Sequence, residues 1–357
     1  MKNLLWIVIL VFFIGACTSN GSKQTKYNEE INAIEVNTQP VEVLATDLNI
    51  PWNITKHDQI FYLSQRSGSV IKVDGSTGTK TVQNVVVSRE VLHLGEGGLL
   101  GFILAPDFPV SKEAIAYHTY EKEGRTFNRV IVLKLSEETW NEQRVLLDKI
   151  PGGSIHNGGR VKVGPDRKLY ITVGDAGQPE NAQNVNSLAG KILRMELDGT
   201  IPNDNPFKNS YVYSYGHRNP QGLAWDDAGN FYSTEHGQSA HDEINLIVKG
   251  GNYGWPLIEG EQQAANMTSP IFHTGEVTWA PSGIEIKDNK IYIATLRGES
   301  IRSYNLTNGT VETFFQDAGR LRDVLIEKDA LFTITNNRDG RGTPRENDDQ
   351  LFKFQIK

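Results

Sequence analysis

Gln59-Ile60-Phe61-Tyr62 followed by Gly68-Ser69-Val70-Ile71 sets the pattern of the chain: an apolar, aromatic-bearing strand, a glycine-containing turn, and a second apolar strand. The unit returns as Ala114-Ile115-Ala116-Tyr117 with Arg129-Val130-Ile131-Val132, and as Lys168-Leu169-Tyr170 with Gly190-Lys191-Ile192-Leu193. It comes back as Asn230-Phe231-Tyr232 with Asp242-Glu243-Ile244-Asn245, as Lys290-Ile291-Tyr292 with Ser300-Ile301-Arg302, and as Ala330-Leu331-Phe332 with Gln350-Leu351-Phe352. Successive aromatics at 62, 117, 170, 232, 292 and 332 are separated by 55, 53, 62, 60 and 40 residues. Four-stranded propeller blades recur at about 40 to 50 residues before loop insertions. From Val41 onward no stretch sustains a helical period, and Val, Ile, Tyr, Phe and Thr runs alternate with Gly, Asn, Asp and Pro turns. The expectation is an all-β chain folded as a six-bladed β-propeller, preferred over a pair of β-sandwiches because one pattern returns six times with no break in composition.

Radial repetition also accounts for 357 residues, more than a single core usually holds. With 36 basic and 43 acidic residues, a net charge of −7 and no basic cluster, the chain lacks the electrostatic footprint of a nucleic-acid binder. A lone cysteine rules out an intrachain disulfide and a multi-cysteine zinc site, so any metal must be held by oxygen or imidazole.

That cysteine lies at the end of an apolar run. Lys2 precedes Leu4 to Ile14, a stretch too short to span a bilayer and suited to a signal-peptide core, which ends in Ile14-Gly15-Ala16-Cys17. Small residues before a cysteine resemble a bacterial lipobox, which predicts a signal peptide over 1–16 and lipidation at Cys17. Residues 17–40 are polar and aperiodic and read as a flexible tether; the propeller is expected over 41–357. The protein is therefore expected to be an exported lipoprotein on the periplasmic or cell-surface side of a membrane, held by its acyl chains without a spanning helix.

A propeller binds ligands where loops distant in sequence converge. His156 stands in the glycine-dense loop Gly152 to Arg160, and Asp175 in Gly174-Asp175-Ala176-Gly177. An imidazole is the usual general base near neutral pH, and a carboxylate on its other nitrogen fixes the tautomer, so His156 and Asp175 are a candidate pair. Gly216-His217-Arg218-Asn219-Pro220-Gln221-Gly222 puts an arginine and an amide in one turn. Arg320 and Arg322 are two apart, which on a strand points both to one side, an arrangement that calls for an anion.

Together these residues resemble the soluble-type quinoprotein sugar dehydrogenases, which use pyrroloquinoline quinone (PQQ), over about Asp47 to Lys357. The markers include Gly95-Glu96-Gly97-Gly98-Leu99-Leu100-Gly101, His156 ahead of Gly159-Arg160, Gly174-Asp175, the Asp198 to Phe207 stretch, Gly216 to Gly222, Gly251-Asn252-Tyr253-Gly254-Trp255-Pro256 and Arg320-Leu321-Arg322-Asp323. The resemblance implies a six-bladed propeller that oxidises the anomeric carbon of aldoses to lactones by hydride transfer to the quinone. It implies His156 as the base with Asp175 orienting it, and Arg218 and Asn219 at the quinone oxygens. Arg320 and Arg322 would face the cofactor carboxylates, with Arg297 as a further cofactor contact. Gly237 and Gln238 would offer backbone carbonyls to calcium. Glu96 stands where the family carries glutamine, and Asn336 where it carries aspartate. The large insertions of the dimeric glucose dehydrogenases are not evident, so the aldose sugar dehydrogenases are the nearer analogy and a monomer is expected; the electron acceptor is not implied. Two other readings of such a chain are a calcium-dependent propeller lactonase and a non-catalytic binding propeller.

Overall fold

The structure, a computed structural model, describes residues 41–356; the expected signal peptide, the lipidation site Cys17 and the tether lie outside the described residues. Strand β1 (Glu42–Ala45) is followed by β2 (Pro51–His57), β3 (Ile60–Gln65), β4 (Ser69–Asp74) and β5 (Lys80–Val86). Next come β6 (Leu99–Leu104), β7 (Glu113–Lys122), β8 (Arg125–Ser136) and β9 (Thr139–Pro151), then β10 (Val161–Val163), β11 (Leu169–Val173), β12 (Lys191–Met195) and β13 (Val212–Tyr215). The chain continues through β14 (Pro220–Trp225), β15 (Phe231–Glu235), β16 (Glu243–Ile247) and β17 (Phe272–His273), then β18 (Pro281–Lys287), β19 (Lys290–Thr295), β20 (Ser300–Asn305) and β21 (Val311–Gln316). It closes with β22 (Leu321–Glu327), β23 (Ala330–Thr335) and β24 (Leu351–Gln355).

These strands form four-stranded sheets in the orders β10-β11-β12-β13, β14-β15-β16-β17, β18-β19-β20-β21 and β1-β24-β23-β22, and one eight-stranded sheet. The eight-stranded sheet is two successive meanders, β2 to β5 and β6 to β9, joined by parallel pairing of β5 with β9. Strand β1 adds to β24, so the start of the described chain completes the sheet made by its end. Innermost strands pack on one another, β2 on β6, β14 on β18 and β18 on β22, and β22 returns to β2.

The six repeated strand pairs seen in the sequence are all antiparallel neighbours, the second and third strands of their meanders. Their aromatics explain the period. Tyr62, Tyr117, Tyr170, Tyr232, Tyr292 and Phe332 each lie in a different buried cluster, and each cluster is shared with the next meander. Phe332, for example, packs with Ile54 and Phe61 of the first meander. Each such ring contributes about 2 kcal/mol of burial, so every meander carries its own aromatic wedge against its neighbour. Second strands such as β11 and β15 are buried on both faces, whereas outermost β5 alternates.

Register fixes where function can sit. Pro51 opposes Gln65, Pro220 opposes Glu235, Pro281 opposes Thr295 and Leu321 opposes Thr335, so the start of an innermost strand and the end of the second strand share one edge. Loops carrying Arg66, Glu96, His156, Asp175, Arg218, His236, Arg297, Arg320 and Asn336 all leave from that edge.

Candidate active site

Seven of the residues singled out in the sequence, Glu96, His156, Arg218, Gly237, Gln238, Arg297 and Arg320, line one cavity of about 450 Å³, in the size range of small-molecule sites. Arg322 lines a smaller chamber of about 30 Å³ together with Trp52, Arg66 and Gln221. Glu96, His236, Leu296 and Arg341 border both, so they form the partition between them.

His156 and Asp175 meet as expected. Nδ1 of His156 donates to Asp175 Oδ1 at 2.7 Å, which leaves Nε2 as the acceptor nitrogen. Asp175 is fully buried and its charge is met elsewhere too: Oδ1 accepts the Gly177 amide at 2.8 Å and Oδ2 accepts the indole N–H of Trp255 at 2.8 Å. The backbone of His156 is left-handed, with φ 56°, and it fits because Gly174 lies against it: a Cβ on Gly174 would approach the His156 carbonyl oxygen to 2.0 Å. The amide of His156 donates to Glu96 Oε2 at 2.8 Å.

Arg218 is held from below. Its amide donates to Glu235 Oε1, and Glu235 Oε2 accepts Nδ1–H of the fully buried His217 at 2.8 Å, with Ser214 Oγ at 2.8 Å from the other ring nitrogen. This Ser214-His217-Glu235 line imitates a hydrolytic triad, but it is sealed in the core and serves to fix the Arg218 turn. The guanidinium lies 5.3 Å from the Trp255 ring centroid and donates to the His236 carbonyl at 3.3 Å. Its Nε is buried without a partner, and burial pulls its pKa below the ordinary arginine value despite Asp175, Glu235, Glu96 and Asp242.

Asn219, Asp175 and Asn336 are fully buried and support the cavity from behind. Asn219 Oδ1 accepts the Gly158 amide at 3.1 Å while its Nδ2 has no partner. Asn336 Oδ1 accepts from Arg322 at 3.1 Å and its amide donates to the Pro51 carbonyl. Asn336 therefore aims Arg322.

The two strand-parity arginines are not an equivalent pair. Arg320 precedes β22, a register shift lies between Leu321 and Asp323, and the two side chains border different chambers. Arg320 is paired with Asp339 at 2.8 Å. Among the described residues Arg322 has only neutral partners, Asn336, Gln221 and Ser282, and it stacks 5.7 Å from Trp52. Burial, reinforced by Arg320, Arg66 and Arg160 and opposed by Asp339, takes it down to about 9, still a cation at neutral pH. Arg297 is exposed at the cavity and has no side-chain partner among the described residues.

Gly237 and Gln238 belong to a loop pinned by Asp242, whose carboxylate accepts the amides of Gly237, Trp279 and Ala280 at 2.9, 2.6 and 2.8 Å. The carbonyls of Gly237 and Gln238 accept no hydrogen bond among the described residues, so both oxygens are available to a hard cation. No group of three or more His, Cys, Asp or Glu suited to a metal occurs among the described residues. His236 completes the wall as a neutral imidazole, pushed down to about 3 by burial, and its buried Nε2 lacks a partner.

The residues missed in the sequence are Trp255, Trp52, Arg66, Asp339 and Arg341. Trp255 stood in a quoted marker, yet nothing in spacing places an indole 80 residues away on a carboxylate. Buried nitrogens of Arg218 and His236 in the cavity wall, and of Asn219 behind it, have no partner among the described residues, and Arg322 in the adjoining chamber has no carboxylate partner. An anionic acceptor of hydrogen bonds would satisfy that set.

Comparison with known proteins agrees. Residues 48–343 match the family model described as Glucose / Sorbosone dehydrogenase. An aldose sugar dehydrogenase of Escherichia coli is 34% identical over 345 residues, covering 85% of this chain and 91% of that protein. Quinoprotein glucose dehydrogenase B of Acinetobacter calcoaceticus is 34% identical over 253 residues, covering 61% of this chain and 52%, about half, of the relative. The PQQ-bound aldose sugar dehydrogenase of Streptomyces coelicolor superposes with a TM-score of 0.83 at 36% identity, over 91% of this chain and 100% of that one.

Proposed function

The chain belongs to the glucose/sorbosone dehydrogenase family, and on that premise we propose that it is a PQQ-dependent sugar dehydrogenase that oxidises the anomeric carbon of aldoses to lactones. The observation that carries this reading is the cavity in which His156, oriented by Asp175, shares one lining with Arg218, whose buried Nε has no partner, and with Arg297, which has no counter-ion among the described residues. Bound there, PQQ would supply the hydride acceptor and three carboxylates. The residues fit such a group. Arg320 and Arg297 would meet its carboxylates, with Arg322 adding positive charge from the adjoining chamber, and Arg218, backed by Asn219, would stabilise negative charge on the quinone oxygens. The open carbonyls of Gly237 and Gln238 would hold calcium beside it.

Nε2 of His156 takes the proton of the sugar's anomeric hydroxyl, and Asp175 stabilises the resulting imidazolium through Nδ1. Trp255 and Gly177 keep that carboxylate in place without neutralising it. The sheet pattern supports a six-bladed propeller: four separate sheets plus two joined meanders, an aromatic cluster between each and the next, and β1 completing the last. Export and lipidation at Cys17 remain part of the proposal, supported by the apolar Leu4 to Ile14 run and the Gly15-Ala16-Cys17 end.

The test is dye-linked aldose oxidation by apo-protein before and after addition of PQQ and calcium. Activity that requires the quinone supports the reading, and zero activity across a broad aldose panel with both added overturns it.

A further inference from the structure

A chain of ionic contacts crosses the cavity between residues that no sequence motif links. Asp339 Oδ2 accepts Nε and a terminal nitrogen of Arg320 at 3.2 and 2.8 Å, while its Oδ1 accepts the Arg341 amide at 2.9 Å. The turn fixed in this way carries Arg341 to Glu96, 245 positions earlier in the sequence, where its guanidinium donates to Oε1 at 2.7 Å. The other oxygen of Glu96 accepts the His156 amide at 2.8 Å, and the Glu96 amide itself donates to the Ser154 carbonyl at 2.8 Å. The loop beneath is tied by Arg66, which donates to the carbonyls of Gly95 and Gly97. Burial alone would raise the Glu96 carboxyl, yet Arg341 and the His156 amide bring it down to about 2, so it is an anion throughout the physiological range.

An unpaired carboxylate in the partition of a cavity suited to a tricarboxylate would repel its ligand. We propose that Arg341 is a cofactor-chamber residue: by neutralising Glu96 it lets the chamber accept an anionic ligand, and by anchoring that carboxylate it fixes the left-handed backbone of His156. The inference rests on the cofactor reading above for the identity of the ligand. Glu96 and Arg341 are positioning residues here, acting through His156 and through charge balance. The pair is only partly exposed on the Glu96 side, 21% against 55% for Arg341, which separates it from the solvated surface pairs that contribute little.

The experiment measures PQQ affinity of the calcium-supplemented apo-protein by quenching of intrinsic fluorescence, in the parent, Arg341→Ala, Glu96→Gln and the double variant. Arg341→Ala is expected to weaken PQQ binding about tenfold, Glu96→Gln to bind at least as tightly as the parent, and the double variant to recover to within about threefold of it. A double variant as weak as Arg341→Ala, or Arg341→Ala indistinguishable from the parent, overturns the charge-balance role. Hydrogen exchange of the His156 amide in the apo-protein needs no cofactor: it should accelerate about tenfold in Arg341→Ala, and unchanged exchange overturns the anchoring role. Failure of the parent to bind PQQ would instead overturn the cofactor reading, and with it the ligand assigned here, while the exchange result would still decide the anchoring.

Discussion

The indole N–H of Trp255 donates to Oδ2 of Asp175 at 2.8 Å, on the opposite oxygen from the one that orients His156. His156 is thus aligned by a buried carboxylate that is itself held by an aromatic donor 80 positions further along the chain. Trp255→Phe keeps the ring beside Arg218 and removes one hydrogen bond to a buried charge. A loss of about 1–3 kcal/mol in transition-state stabilisation is expected, or about 5- to 150-fold in kcat, with PQQ affinity changed far less. Steady-state kinetics alongside cofactor titration separate the two; equal losses in both would show that Trp255 shapes the cofactor chamber instead.

Asp175→Asn retains the size of the side chain but not its charge, and an amide nitrogen facing Nδ1 favours the wrong imidazole tautomer. A fall of about a thousandfold in kcat with a well-folded protein is the expected outcome. Activity within tenfold of the parent would remove Asp175 from the mechanism.

Glu243 opposes Glu235 across the β15–β16 pair, and burial, with the neighbouring Glu235 charge adding to it, holds its carboxyl up at about 8. Because the folded-state value lies above the unfolded value near 4.5, the folded protein binds a proton that the unfolded chain releases between those limits. Stability from this group is therefore present at acid pH and lost as pH rises toward 8. Glu243→Gln can keep the Gly260 amide bond, and its new N–H can reach Asn245 Oδ1, which now lacks a partner, if that amide turns over. The variant should melt close to the parent at pH 5 and progressively above it toward pH 8. Melting curves across that range check the sign, and a gap that narrows with pH would refute it.

The proposed calcium site uses the backbone carbonyls of Gly237 and Gln238 and not their side chains. Chelation is expected to lower PQQ affinity at least tenfold, and Gln238→Ala should bind calcium within about threefold of the parent because a carbonyl ligand survives the substitution. Calorimetry with calcium decides it; loss of calcium binding in Gln238→Ala would assign the side chain instead.

The repeat was legible because each meander needs one aromatic wedge toward its neighbour, so Tyr62 to Phe332 recur at positions that packing imposes. The His156–Asp175 pair was legible because both residues sit in short glycine-rich turns at strand ends, where the residue types alone suggest a pair. Arg320 and Arg322 were legible as two cations at one strand start but not as unequal, since the register shift at the start of β22 and the Asp339 partner depend on a loop whose path spacing does not encode. Trp255 and Arg341 were illegible for the same reason. Their partners lie 80 and 245 positions away, and only closure of the sheets brings them together.

In the proposed reaction this cavity joins a base, His156, to a bound quinone that accepts hydride from a sugar. The direct measurement is the absorbance of PQQ reconstituted with calcium into apo-protein, followed anaerobically as aldose is added. The parent should show the quinone spectrum bleach within a single turnover, while His156→Ala should bind the same amount of PQQ and remain unbleached. Bound PQQ that stays oxidised in the parent across a broad aldose panel, or bleaches equally fast without His156, would contradict the account.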